Sequence, residues 1–212
     1  APSLDRYFVD TGATNLKNSP VKVGDAAVYD SNFLDLGGRV VARALDDRVG
    51  VAMLIESLRN FKSGRNEIYY VFTVQEEVGG RGAGPAAYGL DPEIGLAVDV
   101  TIASDAPNVR GHSERNPLAL GRGPAIKVKD AGLIADPRLV ESLTRLAEKK
   151  RIPHQFEVIE SLSTDARAMQ ITGLGAQAGG LAIPLRNLHS PSEMVDLDDV
   201  RNAGKLLAAF LR

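Results

Sequence analysis

The chain contains no cysteine and only three histidines among its 212 residues. The absence of cysteine excludes disulfides, thiolate metal sites and cysteine nucleophiles, and we expect a reducing, cytoplasmic compartment. Because histidine is scarce, any metal site must use carboxylates as most of its ligands. No apolar run approaches the roughly 20 residues that span a bilayer, so we expect no membrane partner.

A strong charge of one sign is also missing, as are several common catalytic motifs. The formal net charge is −2 and no basic run occurs, which argues against nucleic acid as a partner. There is no G-x-S-x-G motif, so a serine α/β-hydrolase mechanism has no support. Gly79–Gly84 is rich in glycine, but no phosphate-binding pattern of the P-loop or dinucleotide type follows a predicted strand.

Strand and helix patterns alternate along most of the chain. Apolar runs predict buried strands at Gly38–Leu45, Glu67–Val74 and Ile94–Val100. Apolar residues at helical spacing predict core-facing helices at Val49–Phe61 and Pro137–Lys150. This alternation predicts an α/β fold with a layered, mixed or parallel central sheet flanked by helices.

The first part of the chain has a different pattern. Tyr7–Asp10 and Val21–Tyr29 are short candidate strands separated by turn residues. The sequence begins with Ala-Pro-Ser and no initiator methionine, so we expect that a preceding portion is missing. We assign residues 1–38 to the remnant of a β-rich domain and residues 39–212 to the main α/β domain.

Acidic residues occupy equivalent places near the ends of the three predicted strands. Asp46 and Asp47 follow the first strand, Glu76 and Glu77 follow the second, and Asp99 lies near the end of the third. Parallel neighbouring strands would bring these carboxylates to one edge of the sheet, where α/β proteins bind ligands. A single acid at such a place is more often a helix cap or a surface residue. Three such groups would repel one another unless a cation lies among them, and they therefore predict a metal site.

The chemistry of such a site explains why adjacent acids occur in pairs. Asp, Glu and His together suit a divalent cation, and a catalytic zinc centre keeps one position open for water. Where two ions bind about 3.5–4 Å apart, a carboxylate bridges them and the reacting water lies between them. One glutamate of a pair can then coordinate while its neighbour carries the proton. The residues alone leave open which member of each pair has which role.

The histidines and one polar motif are ambiguous on the residues alone. His189 lies in the loop RNLHSPSE before the last predicted helix, and a lone loop histidine is more often without a catalytic role. We interpret His154 and His112 in the same way. The motif STDAR at Ser163–Arg167 could lie near a site or could simply cap a helix.

Five motifs occur in order along the chain, and together they resemble one known family. They are ALDDRVG (Ala44–Gly50), TVQEEVGGRGA (Thr73–Ala83), AVDVTIASD (Ala97–Asp105), STDARA (Ser163–Ala168) and IPLRNLHSPSEMVDLDD (Ile183–Asp199). The set resembles the TET-type dinuclear metallo-aminopeptidases, a family of glutamyl and deblocking aminopeptidases with some members labelled endoglucanases. The resemblance covers nearly the whole chain and implies a zinc-exopeptidase-like fold.

The resemblance also implies a role for each candidate residue. Asp46 would bridge two metal ions, and Glu76 would be the general base. Glu77 and His189 would be metal ligands, which reverses the interpretation of His189 as an ordinary loop residue, and Asp99 would bind the other ion. The cofactors would be two divalent ions per subunit, Zn²⁺ or Co²⁺.

One departure from the family is visible in the sequence. The family has a further histidine ligand in an early H-x-D motif, upstream of an inserted β-barrel domain used in subunit contacts, and no H-x-D occurs in this chain. The chain thus resembles roughly the C-terminal two-thirds of the family, at the level of fold extent. Residues 1–38 would be the last part of the inserted domain, and one metal position would lack a ligand.

The expected function is metal-dependent removal of the N-terminal residue from short peptides, by a subunit of a large homo-oligomer. One alternative is a catalytically incomplete fragment with a structural or assembly role. Another is a dinuclear metal amidase or deacylase that acts on small molecules. Bound metal together with turnover would favour the aminopeptidase over the incomplete fragment. A requirement for a free α-amine in the substrate would favour the aminopeptidase over the amidase or deacylase.

Overall fold

The computed structural model of the protein describes residues 8–107 and 118–212. Backbone contacts divide the chain into two compact units, Ala1–Asp30 and Ser31–Arg212. Residues 8–30 contain neither a helix nor a strand, so the candidate strand Val21–Tyr29 is wrong. Its apolar side chains are exposed, and a strand needs a hydrogen-bonded neighbour that this segment lacks within the described residues. Of the other candidate, Tyr7 lies outside the described residues and 8–10 form no strand.

The second unit contains the sheet and the helices of the described chain. Its elements are β1 (Leu34–Asp35), β2 (Arg39–Ala42), α1 (Leu45–Asn60), α2 (Ala83–Leu90), β3 (Ile94–Ile102), β4 (Ala125–Lys129), α3 (Pro137–Lys150), β5 (Gln155–Val158), α4 (Asp165–Ile171), β6 (Gln177–Arg186), β7 (Glu193–Asp196) and α5 (Leu197–Phe210). A short 3₁₀ helix occupies Glu76–Val78. The predicted α/β fold, a mixed sheet flanked by helices, is confirmed.

The directions of the strands determine which strand ends lie at the same edge of the sheet. The strand order is β1-β2-β7-β6-β4-β5, and β3 pairs in parallel with β6 outside this path. β2 is antiparallel to β7, and β7 is antiparallel to β6, so β2, β3 and β6 all run in the same direction. Their carboxyl ends therefore lie along one edge of the sheet. We expected β2 and β3, the strands that lead to Asp46 and Asp99, to be neighbours. They are not, because β7 and β6 lie between them.

Helices cover both faces of the sheet. Eight consecutive residues of β6 are buried, as expected for a strand covered on both faces. One apolar cluster joins β6 to α1, α3 and α5 through Met53, Leu143 and Leu206. A smaller cluster joins β3 and β6 to α4 through Ala166. No helix in the described ranges is long and apolar enough to cross a membrane.

The second predicted strand, Glu67–Val74, is the main error of the fold prediction. The structure forms no strand between Phe61 and Gln75, and Tyr69, Phe72 and Val74 are exposed. The reason is that an apolar run forms a strand only beside another strand. Within the described residues β3 has β6 as its strand partner on one side, and this segment joins no ladder.

Candidate metal centre

Three of the four predicted metal ligands come together in the structure. Ligand atoms of Asp46, Glu77 and His189 all lie within 4.8 Å of one another. His189 Nε2 is 3.1 Å from Asp46 Oδ2 and 3.3 Å from Glu77 Oε2. Two carboxylates and one imidazole at this spacing are a donor set that divalent zinc or cobalt accepts.

The three residues meet because their segments all lie at one edge of the sheet. Asp46 follows β2, and His189 lies in the turn between β6 and β7. Because β2 and β6 run in the same direction, both turns lie at the same edge. Glu77 belongs to the short 3₁₀ helix that follows the unpaired segment. The structure thus brings three of the predicted residues together at the predicted edge of the sheet, although the strands are not adjacent, and their role as ligands stays a prediction.

The adjacent residues Asp46 and Asp47 have different surroundings. Both have non-helical backbone angles at the start of α1, so their side chains do not follow the helical spacing. Asp46 joins the ligand group, whereas Asp47 Oδ1 accepts a hydrogen bond of 3.2 Å from the Gly50 N–H, as a helix-capping side chain does. A Cβ on Gly50 would collide with the Asp47 carboxylate. The geometry thus distinguishes a ligand candidate from a capping residue.

A tight turn presents Glu76 and Glu77. Gln75 and Gly79 have left-handed backbone angles, with φ values of 58° and 115°. The N–H groups of Gly79 and Gly80 both donate to the Glu76 carbonyl, at 2.9 and 2.8 Å. The φ of Gly79 is one that residues with a side chain rarely adopt, which explains a glycine here. Gly79 therefore supplies a backbone conformation that this turn requires.

Burial and mutual repulsion raise the pKa values of several carboxyl groups at this edge. Burial is the largest cause and the charge of Glu77 the second largest cause that raise the pKa of Asp46 to about 6. Burial, then the charges of Asp165 and Glu77, raises the pKa of Glu76 to about 7. Burial is again the largest cause for Asp99, whose pKa rises to about 8. Carboxylates that repel one another in this way are stabilised in the ionised form by a bound cation.

Asp99 lies outside the group of three. It is on β3, and its Oδ1 accepts a hydrogen bond of 2.7 Å from the neighbouring Val100 N–H. The charge of Asp46 contributes to its raised pKa, and so Asp99 belongs to the same electrostatic environment. Burial and the charge of Asp99 are the two largest causes that raise the pKa of Asp47 to about 9. The role of Asp99 as a metal ligand stays a prediction.

The STDAR motif fulfils both alternatives that the sequence left open. Thr164 caps α4, because its hydroxyl accepts a hydrogen bond of 3.4 Å from the Ala166 N–H. Asp165 faces the site, since its Oδ2 accepts a hydrogen bond from the Thr73 hydroxyl and its charge raises the pKa of Glu76. The motif therefore begins a helix and also contacts the segment that carries the glutamates.

Sequence reasoning missed one residue of the site, Glu193. Its carboxylate accepts hydrogen bonds from the N–H groups of Asp46 and His189. In the sequence it lies four residues after His189, within the motif Ile183–Asp199, but nothing in the residues alone separates it from the other acids before the last helix. His154 lies apart from this group, with Nδ1 3.2 Å from the Ile152 carbonyl and its ring edge-on against Phe156, and its interpretation as an ordinary residue stays a prediction. His112 lies outside the described residues.

The fold and the carboxylate–histidine group define an α/β protein with a candidate metal centre, and comparisons with known proteins identify its family. The model of the M42 glutamyl aminopeptidase family matches residues 1–206. A lysyl aminopeptidase of Pyrococcus furiosus is 37% identical over 212 residues, which are 98% of this chain and 59% of that protein. The chain therefore belongs to the M42 glutamyl aminopeptidase family.

Solved structures agree with this assignment. The aminopeptidase APDkam598 from the archaeon Desulfurococcus kamchatkensis superimposes with a TM-score of 0.86 and 46% identity, over 90% of this chain and 54% of that one. The TET1 peptidase of Pyrococcus horikoshii gives a TM-score of 0.75 and 33% identity, over 87% of this chain and 53% of that one. The chain spans less than two thirds of the length of these relatives. The predicted family resemblance is confirmed.

Proposed function

We propose that this chain is the catalytic part of a dinuclear metallo-aminopeptidase. The observation that carries the proposal is the meeting of Asp46, Glu77 and His189 at one edge of the sheet, with ligand atoms within 4.8 Å. Membership of the M42 glutamyl aminopeptidase family supports the same activity. The reaction would be hydrolysis of the peptide bond after the first residue of a short peptide.

We infer that the site would hold two divalent ions, and the raised pKa values of its carboxyl groups support cations as the groups that compensate their charge. Asp46 would be the shared ligand, because its oxygens lie next to His189 and its charge also acts on Asp99. Glu77 and His189 would complete one position, and Asp99 would belong to the other. Zn²⁺ or Co²⁺ would suit this mixture of carboxylate and imidazole.

Glu76 would move the proton. When bound, the two ions would supply Lewis-acid polarisation of the peptide carbonyl and a water of lowered pKa. Glu76 adjoins the ligand Glu77 and is itself outside the ligand group, which suits a residue that exchanges protons. Burial and neighbouring carboxylates raise its pKa to about 7, close to the pH at which a general base and acid must alternate. It would take a proton from water and deliver it to the departing amine.

The assembly of one relative extends the proposal. The Pyrococcus horikoshii TET1 peptidase is described as assembling into a tetrahedron or a large octahedral shell. We infer that the protein to which this chain belongs self-associates into a large homo-oligomer of the same kind. Its partners would then be short peptides and further copies of itself.

A catalytically incomplete chain is the second candidate, and two observations favour it. Asp99 does not join the group of three ligands, and the segment before Glu76 forms no strand. A turn carried by an unpaired segment holds its side chains less rigidly than one that follows a paired strand. On this interpretation the 212-residue chain would bind metal weakly and would turn over no substrate.

Metal content and turnover measured on the same sample test the two candidates. The purified chain would be analysed for bound metal after exposure to Zn²⁺ or Co²⁺, and then assayed with leucine and glutamate anilides. About two ions per chain with turnover would support the enzyme. At most one weakly held ion without turnover would support the incomplete chain. Turnover of an N-acetylated anilide at the same rate would contradict an aminopeptidase, which requires a free α-amine.

A further inference from the structure

Glu193 is a buried carboxylate that connects two separate parts of the candidate metal centre. It is the first residue of β7, and 2% of its surface is exposed. Its Oε2 accepts a hydrogen bond of 3.1 Å from the Asp46 N–H, 147 residues away in the chain. Its Oε1 accepts a hydrogen bond of 2.9 Å from the His189 N–H. One side chain therefore holds the main chains of two candidate ligands.

The backbone near both ligands has conformations that need such support. His189 has a φ of 60°, and Ala44, two residues before Asp46, has a φ of 56°. Residues with a side chain seldom adopt this left-handed region. Such conformations persist when surrounding contacts fix them. The two hydrogen bonds of Glu193 are contacts of this kind, one for each ligand-bearing turn.

The charge of Glu193 also fits a site that binds cations. Within the described ranges, no lysine, arginine or histidine forms an ion pair with Glu193. Its hydrogen bonds come from two backbone N–H groups, those of Asp46 and His189. A buried carboxylate is costly when no positive charge compensates it. A cation bound by Asp46 and His189 would lie close to this carboxylate and would offset part of that cost.

We propose that Glu193 is a positioning residue of the metal centre, which holds Asp46 and His189 so that both side chains reach one ion. The inference rests on the proposed function, because it assigns a role toward the metal of the same site. Groups that orient metal ligands typically contribute 10- to 100-fold to metal affinity. Loss of Glu193 should therefore weaken metal binding through the two ligands and not through direct coordination.

Two variants and one matched control separate this role from general stability. Glu193→Gln keeps the shape but replaces one acceptor oxygen with a donor, so only one of the two N–H groups keeps its partner. Glu193→Ala removes both acceptors. Asp199→Asn is the control, since Asp199 is also fully buried and accepts hydrogen bonds from two N–H groups, those of Gly121 and Gly123.

The first readout is amide hydrogen exchange of the metal-free chain, measured by NMR. In Glu193→Ala both the Asp46 and His189 amides should exchange at least about tenfold faster than in the wild type, and in Glu193→Gln at least one of them should. The second readout is Co²⁺ binding, followed by the visible absorption of the bound ion. The Kd should rise about 10- to 100-fold in Glu193→Gln, with an altered spectrum. In Asp199→Asn the Kd for Co²⁺ should stay within about threefold of the wild-type value.

Several results would overturn the inference. Unchanged exchange at the Asp46 and His189 amides in both Glu193 variants would do so. An equal loss of Co²⁺ affinity in Asp199→Asn would show that only general stability matters. If the wild-type chain takes up no Co²⁺, the proposed metal function fails, and the amide exchange still decides whether Glu193 holds the two turns. Thermal melts of each variant confirm that the comparison is made on folded protein.

Discussion

The imidazole Nε2 of His189 lies 3.1 Å from Oδ2 of Asp46, although one residue follows β6 and the other follows β2. The contact depends on the common direction of these two strands, which brings their carboxyl ends to the same edge. Asp46 is also the ligand candidate whose charge reaches both His189 and Asp99. It is therefore the residue on which binding of both ions should depend.

Replacement of Asp46 should remove both metal ions. We expect Asp46→Ala to reduce metal content to about zero, because a shared ligand serves each ion, whereas Asp99→Ala should lose about one ion. Elemental analysis of the dialysed proteins measures the difference. Asp198→Ala is a suitable control, since that aspartate is exposed and pairs with Arg201. Retention of two ions by Asp46→Ala would refute the shared role.

Replacement of Glu76 should separate metal binding from turnover. Glu76→Gln keeps the size of the side chain but cannot carry the proton, so metal content should stay nearly unchanged. Activity should fall by about 10²- to 10⁴-fold, the usual contribution of a general acid–base group. The assay compares anilide turnover and metal content in a form of the protein with measurable activity. Exposed Glu141→Gln is the control, and wild-type turnover by Glu76→Gln would exclude its assigned role.

Much of the fold could be predicted from the sequence, because helices and most strands depend on local patterns, and the sequence also indicated which residues could meet at one edge of the sheet. The helix α3 shows its apolar spacing, its initial Pro137 and its cap Asp136 within a few residues. Asp46 follows β2, as its strand pattern indicates. Glu77 follows a segment that forms no strand, and His189 became a candidate only through the family resemblance.

The parts that could not be predicted depend on distant neighbours. Glu67–Val74 has a strand pattern but no strand beside it within the described chain, and pattern alone does not supply a partner. Glu193 is set apart from other acids only by its hydrogen bonds to Asp46 and His189. Lys127 also looks like an ordinary surface lysine in the sequence, yet 1% of its side chain is exposed.

The metal-free chain should lose stability as the pH rises. Burial is the largest cause that raises the pKa values of Asp46, Glu76, Asp99 and Asp47, to about 6, 7, 8 and 9. Ordinary values are 3.8 for aspartate and 4.5 for glutamate, so between those values and about 9 the folded chain binds more protons than the unfolded chain. The free energy of unfolding therefore decreases with rising pH across this window.

Thermal melts of the metal-free chain between about pH 5 and pH 9 test this dependence. The Tm should decline across the range as the four groups ionise. Saturation with Zn²⁺ or Co²⁺ should reduce the decline, because a cation stabilises the ionised carboxylates. A Tm that stays constant or rises with pH in the metal-free chain would contradict the electrostatic description of the site.

A methyl group at Gly82 should disturb the turn that carries the glutamates. A Cβ at this position would lie 2.7 Å from the Val74 nitrogen and 2.8 Å from its carbonyl oxygen. Gly82→Ala should destabilise the chain by about 1–3 kcal/mol, as overpacking usually does. Gly89→Ala, in α2 with nothing within 4 Å, should instead leave stability equal or higher. Urea unfolding compares the two, and equal midpoints would contradict the close approach.

Lys127 should be essential for the stability of the chain because it is the cation of a buried charge group. Its Nζ lies 2.7 Å from Glu157 Oε1 and 3.4 Å from Asp130 Oδ2, and all three side chains are almost fully buried. A side chain at Gly180 would crowd the lysine stem at 3.1 Å. Lys127→Met would leave two buried carboxylates without a cation, so the free energy of unfolding should fall by about 3–5 kcal/mol.

A second substitution tests whether charge is the cause of that loss. In Lys127→Met/Glu157→Met the unpaired Glu157 carboxylate is gone, and much of the lost stability should return, because an apolar replacement of a buried pair is often tolerated. Arg145→Met removes a cation from an exposed pair with Glu141 and should barely change the urea midpoint. If the double variant were less stable than Lys127→Met, packing of the lysine stem, and not its charge, would be what stabilises this region.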